Sequence, residues 1–175
     1  DGNKGTFGKI LAVAGSSGMC GAAFLSASGA FATGAGMVKI VTPEENRIPL
    51  QTMLPEAMIS CTDDLEKDFD WCDVLVIGPG IGMTVKAADK VQFFLKKAKQ
   101  EKKPVVLDAD GLNLLAENPK WKNYLDSHVI LTPHMGEMSR LTGKSIRELK
   151  SDRAGAARAL AAETGAVCVL KDACT

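Results

Sequence analysis

The chain has 175 residues, 46% of them hydrophobic, which is enough for one domain with a sizeable core, since a domain of ~150 residues buries roughly 70% of its unfolded surface. Lys plus Arg and Asp plus Glu both number 21, so the net charge is zero, and the basic excess that a nucleic-acid surface needs is missing. No apolar run approaches the ~18 residues of a membrane span, and the first residues carry no signal-peptide pattern.

In chain order, short β-rich runs alternate with helical patterns. Residues 10–14 read as a first strand, and the Ala- and Gly-rich stretch 19–33 as a helix. Strands follow at 37–41, 58–60 and 74–77. At 84–101, Thr84 is a plausible N-cap, and Val85, Ala88, Val91, Phe94, Leu95 and Ala98 recur at helical spacing. A strand at 105–107, a helix at 111–117, a strand at 129–131, helices at 136–141 and 152–163, and a strand at 167–170 complete the reading. Several strands are continuously apolar, as suits strands covered on both faces. Strand–helix alternation predicts an α/β sandwich around a mostly parallel sheet.

The five cysteines are odd in number and form no C-x-x-C pair. Most of them read as small buried hydrophobes, in a reducing cytoplasm. Trp71, Trp121 and Tyr124 form no stacking set with basic residues and read as packing.

Ligands of parallel sheets bind beyond the carboxyl ends of the strands, and there the sequence turns unusual. The first strand is followed by Gly15-Ser16-Ser17-Gly18, the fourth by GPGIG at 78–82, and the fifth by DADG at 108–111. TPHMGE at 132–137 follows the sixth, and Lys171-Asp172 the last. The glycine loop at 78–82 suits either a ligand approached by backbone or a tight turn. It is no dinucleotide fingerprint, because Met83 stands where the third glycine is needed. Asp108 or Asp110 suits a substrate hydroxyl or an outer-sphere magnesium ion, and Asp110 equally suits a helix cap. His134 and Glu137 are too few for zinc. His134 reads as a ligand contact or as a capping or core histidine, with Gly136 leaving room beside it for a flat ligand. Lys171 ends a buried strand, where a point charge suits a phosphate, or it is simply a solvated strand end.

The segments NKGTFGKILAVAGSSGMCGAA, GPGIG, DADGLNLL, LTPHMGEMSRLTG and VCVLKDACT together resemble the ADP/ATP-dependent NAD(P)H-hydrate dehydratases, ribokinase-like repair enzymes for hydrated nicotinamide cofactors. The resemblance implies one ribokinase-like three-layer sandwich over residues 1–175, shortened at its C-terminal side. It also implies phosphorylation of the C6 hydroxyl of hydrated NADH or NADPH by ADP or ATP with Mg2+, followed by loss of phosphate. Ala22, Gly80, Gly82, Asp108 and His134 would then contact the hydrated cofactor. Lys171, Asp172, Ala173, Cys174 and Thr175 would contact the nucleotide, and Glu137 would sit near magnesium through the phosphates. The resemblance further implies a cytoplasmic homo-oligomer, a tetramer, and a catalytic aspartate in a Gly-rich motif beyond Thr175. On that reading the 175-residue piece alone is inactive. Asp172 replaces the glycine of the family's Lys-Gly-x-x-Thr motif, so an acid is expected to repel the phosphates. The runner-up readings are a hydroxymethylpyrimidine or sugar kinase of the same superfamily and a non-catalytic nucleotide-binding fragment.

Overall fold

A computed structural model describes residues 4–172. Seven strands form one sheet: β1 (Lys9–Val13), β2 (Met37–Val41), β3 (Met58–Ser60), β4 (Val74–Ile77), β5 (Val105–Leu107), β6 (Val129–Leu131) and β7 (Val167–Cys168). The order is β3-β2-β1-β4-β5-β6-β7, and every pairing is parallel. The helices are α1 (Cys20–Ala32), α2 (Arg47–Met53), α3 (Leu65–Trp71), α4 (Val85–Glu101), α5 (Asp110–Glu117), α6 (Met135–Thr142), α7 (Ile146–Ser151) and α8 (Arg153–Thr164). All seven expected strands are present. β7 is shorter than 167–170, but its backbone keeps beside β6: Val169 N–H donates to the Leu131 carbonyl and Lys171 N–H to that of Pro133, each at 2.8 Å.

The two faces of the sheet are unequally dressed. One cross-strand row runs Val41–Val13–Ile77–Leu107–Leu131–Cys168, and its first five members are essentially buried. Helices α3 to α8 lie over this face, and one core joins Phe69, Val91, Phe94, Leu115, Met138, Leu149 and Leu160 to it. Each such side chain contributes about 1.5–3 kcal/mol on burial. Among the described residues, only α1 and α2 pack on the opposite face, with Ala23, Ala27 and Leu50 meeting Ala12, Ala14, Val38 and Ile40. The expectation that the continuously apolar strands are covered on both sides therefore fails at β6 and β7, where Ile130 is 37% and Val167 49% exposed.

Helices α2, α3 and α7 are additions to the sequence reading. Each is only six or seven residues long, too short for a periodic stripe to stand out. The Trp and Tyr residues pack as expected. Trp121 is buried, and Trp71 and Tyr124 lean on the core.

Candidate active-site rim

β1 lies between β2 and β4, so the chain steps one way from β1 and the other way from β4. The crevice between the carboxyl ends of β1 and β4 is the switch point, where ligands of such sheets bind. Here the loop after β1 is braced to the loop after β4: Gly15 N–H donates to the Pro79 carbonyl at 2.8 Å. A cleft of about 560 Å³ opens beside this brace, lined by Ser16, Ser17, Thr42, Gly82, Thr84 and Lys90, among others.

Gly80 (φ +63°) packs against α1, and a Cβ on it would lie 2.7 Å from Ala22 Cβ. The expected contacts Ala22 and Gly80 are thus immediate neighbours. Gly82 lines the cleft, but its N–H is not free for an anion, because it donates to Asp110 Oδ2 at 2.9 Å. Asp110 is the first residue of α5 rather than its cap. It reaches across to the glycine loop and also accepts from Asn113 Nδ2 at 3.3 Å.

His134 is the N-cap of α6. Its Nδ1 accepts from the N–H groups of Gly136 at 2.9 Å and Glu137 at 3.3 Å. Glu137 Oε2 accepts from His134 N–H at 2.8 Å, closing a reciprocal capping box. Accepting at Nδ1 leaves the ring proton on Nε2, which lies 3.2 Å from Glu137 Oε1. The imidazole remains 54% exposed while the Glu137 side chain is 5% exposed. Capping and contact with a ligand are therefore compatible for His134, whereas Glu137 is turned inward to the helix start. The reason for Gly136 also changes. A Cβ there would lie 2.9 Å from His134 Cε1, so the glycine makes room for the histidine itself.

Lys171 pairs backbone to backbone with His134, and its Nζ donates to Asp108 Oδ1 at 2.6 Å. The carboxylate expected to meet substrate thus holds the lysine expected to meet phosphate. Asp172 is not a bare acid beside the phosphates either, since its Oδ2 accepts from Arg153 at 2.7 Å. Ala173, Cys174 and Thr175 lie outside the described residues. Among the described residues no three His, Cys, Asp or Glu side chains gather as a metal site, and Asp108, Asp110 and Glu137 are each already engaged.

Two residues the sequence reading passed over join this network. Arg140 Nε donates to Asn113 Oδ1 at 2.8 Å, extending the chain Gly82–Asp110–Asn113 to α6. Asn113 sat inside the quoted DADGLN motif, and Arg140 lies one turn beyond Gly136. Neither was singled out by spacing, and it is the packing of α5 against α6 that joins them. The four described cysteines are free thiols, and burial pushes Cys72 up to about 11. No helix among the described residues is long and apolar enough to cross a membrane.

Comparison with known proteins identifies relatives of this chain in sequence and in fold. The family model described as NAD(P)H-hydrate dehydratase fits residues 10–175. The bifunctional NAD(P)H-hydrate repair enzyme Nnr of Escherichia coli K12 is 40% identical over 99% of this chain and 32% of its own length. The ADP-dependent (S)-NAD(P)H-hydrate dehydratase of Neisseria meningitidis is 37% identical over 98% of this chain and 58% of its own. Among solved structures, the Bacillus subtilis ADP/ATP-dependent NAD(P)H-hydrate dehydratase, co-crystallised with ATP/Mg2+, superposes with a TM-score of 0.78 at 34% identity, over 98% of this chain and 60% of that one. A ribokinase-like superfamily protein of Enterococcus faecalis V583 reaches a TM-score of 0.86 at 26% identity, again over 98% and 60%. The chain thus spans about a third of the bifunctional relative and three fifths of these neighbours. With the family model fitting nearly its whole length, the chain belongs to the NAD(P)H-hydrate dehydratase family.

Proposed function

We propose that this chain forms the rim on which hydrated NADH or NADPH meets ADP or ATP, in a lyase that restores the reduced nicotinamide. The observation that carries this reading is the adjacency of His134 and Lys171 on neighbouring strand ends. It brings the residue with the exposed imidazole next to the residue that carries the Lys171 ammonium. A hydroxyl is a poor leaving group and a phosphate a good one, so the protein's task is to hold the two reactants and balance charge. His134, Ala22 and the 80–82 loop hold the hydrated cofactor. Lys171 serves the nucleotide phosphates, and in doing so exchanges the Asp108 carboxylate for them. The pair Arg153–Asp172 leaves that corner close to neutral, which removes the repulsion expected of Asp172.

Magnesium enters with the nucleotide. A hard cation that keeps most of its waters and binds phosphates needs at most one or two carboxylates, and the residues here fit that role better than that of a resident metal cage. When bound, the ion shields phosphate charge. The chain's own part is to position the phosphates through Lys171.

The test uses the complete product of the gene with hydrated NADPH and either ADP or ATP. The reading expects dihydronicotinamide absorbance to return in step with free inorganic phosphate. Accumulation of a stable phosphorylated product would instead identify a kinase, and failure to bind either ligand in calorimetry would identify a non-catalytic module.

A further inference from the structure

The loop after β4 depends on outside support, and one side chain supplies it where backbone does not. Gly78, Gly80 and Gly82 all hold positive φ, and glycine is the residue with the most backbone freedom to lose. The loop's entry is fixed by main chain: Gly78 N–H donates to the Val13 carbonyl at 3.0 Å, and the Pro79 carbonyl accepts from Gly15. Gly78 also has no spare room, since a Cβ on it would run into the Asp108 carbonyl oxygen. Gly80 against Ala22 and the buried Ile81 hold the middle. The exit is held differently. Gly82 N–H donates to Asp110 Oδ2 at 2.9 Å, and among the described residues no other side chain is hydrogen-bonded to this loop.

The chemistry of the neighbours explains why the residue is an aspartate. Arg140 can only donate, so Asn113 turns its oxygen to Arg140 Nε and its NH2 group to Asp110 Oδ1. Gly82 presents a second donor to Oδ2. Asp110 therefore needs an acceptor on both sides, which a carboxylate has and an amide lacks. The result is a one-way chain of hydrogen bonds that ties the loop's exit to the bodies of α5 and α6. Since α6 starts at His134, the same chain sets the loop's place relative to the imidazole. The unusual backbone of Ala109 acquires a reason as well. It parts two neighbouring acids, sending Asp108 to Lys171 and Asp110 to Gly82, and strain of this kind persists only where the surroundings over-determine it.

We infer that Asp110 is a positioning residue: it contacts neither substrate nor magnesium, and it holds the exit of the glycine loop in register with His134 so that the hydrated cofactor meets both. This rests on the reading of His134 and the 80–82 loop as the cofactor side of the rim. Binding energy gathered from two elements depends on their being held in place before the ligand arrives. Loss of the tie therefore weakens the cofactor's binding and leaves the nucleotide's, which is served from the Lys171 side.

The test compares the complete gene product with its variants Asp110→Ala, Asp110→Asn and the double variant Asp110→Asn with Asn113→Asp, in steady-state kinetics with hydrated NADPH and nucleotide. Asp110→Ala is expected to raise KM for hydrated NADPH about 10-fold, the size of one lost hydrogen bond to a carboxylate. Its kcat and its KM for nucleotide should stay within about 2-fold. Asp110→Asn keeps an acceptor for Gly82 but sets two NH2 groups face to face, so it recovers only part of the loss. In the double variant the amide at 110 donates to the carboxylate at 113, which accepts from Arg140, and KM returns close to the wild-type value. If Asp110→Ala fails to fold, the step from the single to the double variant carries the result. Hydrogen exchange of the peptide over 78–84 gives a readout independent of turnover: it should quicken in Asp110→Ala and slow again in the double variant. The inference is overturned if the wild type turns over the hydrate and Asp110→Ala keeps its KM, if both KM values rise together with no recovery in the double variant, or if kcat alone falls. A wild-type protein that binds neither ligand would instead overturn the reading of the rim, while unchanged exchange in Asp110→Ala would still refute the tie itself.

Discussion

Lys171 Nζ rests on Asp108 Oδ1 at 2.6 Å, across 63 residues of sequence. The pair joins the last described strand to the centre of the rim, with side chains 41% and 29% exposed. An ion pair this exposed contributes only about 0–1 kcal/mol to stability, so its interest lies in what displaces it. With Lys171 bound to phosphate, Lys171→Ala is expected to weaken ADP binding to the complete protein about 10-fold, close to 1.4 kcal/mol, with the melting temperature nearly unchanged. Asp108→Asn removes the competitor for the lysine and should leave ADP binding as tight or tighter. Calorimetry on both variants checks this, and a loss of nucleotide affinity in Asp108→Asn would refute the exchange.

His134 has two separable jobs. His134→Ala strips the cap of α6 and is expected to cost about 1–2 kcal/mol. His134→Asn keeps a capping acceptor and should recover most of that stability. It lacks the imidazole edge, so the Michaelis constant for hydrated NADPH should stay raised about 10-fold in both variants. Full kinetic recovery in the Asn variant would mean that the histidine acts only as a cap.

Ala109 holds φ 49°, ψ −122° between the two acids of the DADG turn, a conformation that costs a residue with a Cβ roughly 1–3 kcal/mol. Ala109→Gly is expected to raise unfolding free energy by about 1 kcal/mol after the added freedom of the unfolded chain is subtracted. Ala109→Val should lower it by more. Urea titrations of the two variants give the sign directly.

Cys72 supplies a pH prediction. Burial lifts its thiol from 9.0 to about 11, so between those values the unfolded chain gives up its proton first and folding stability declines as pH rises. The contribution is complete below pH 9 and about 2 kcal/mol of it is gone at pH 11. Cys72→Ala should flatten that part of the stability profile. An identical alkaline decline in both proteins would place its cause elsewhere.

Most of the strands were legible because they are brief apolar runs with Gly, Pro or Asp at or near an end, and α4 because its stripe persists over four turns. The α7 signal, Ser145 followed three residues later by Glu148, was present as a capping box but lacked an apolar stripe long enough to support it. Candidate site residues were singled out by position: His134, Lys171 and Asp108 all follow strands, and parallel register brings strand ends together. Their engagements were not legible. No spacing rule links Gly82 to Asp110, or Arg153 to Asp172, since those contacts depend on how far two loops approach in space. Val-Ile-Leu at β6 looks the same whether one or both faces are covered, because an apolar run records burial intended for the strand and not the element that provides it.

The interior place of β1, between β2 and β4, has a consequence for how the protein acquires its shape. The first strand of the described residues pairs Val13 with both Val41 and Ile77, so its second edge waits until some sixty further residues have been made. Non-local pairing of this kind slows folding relative to helical bundles. During synthesis, one side of the first strand stays open to wrong partners until Val74–Ile77 arrives.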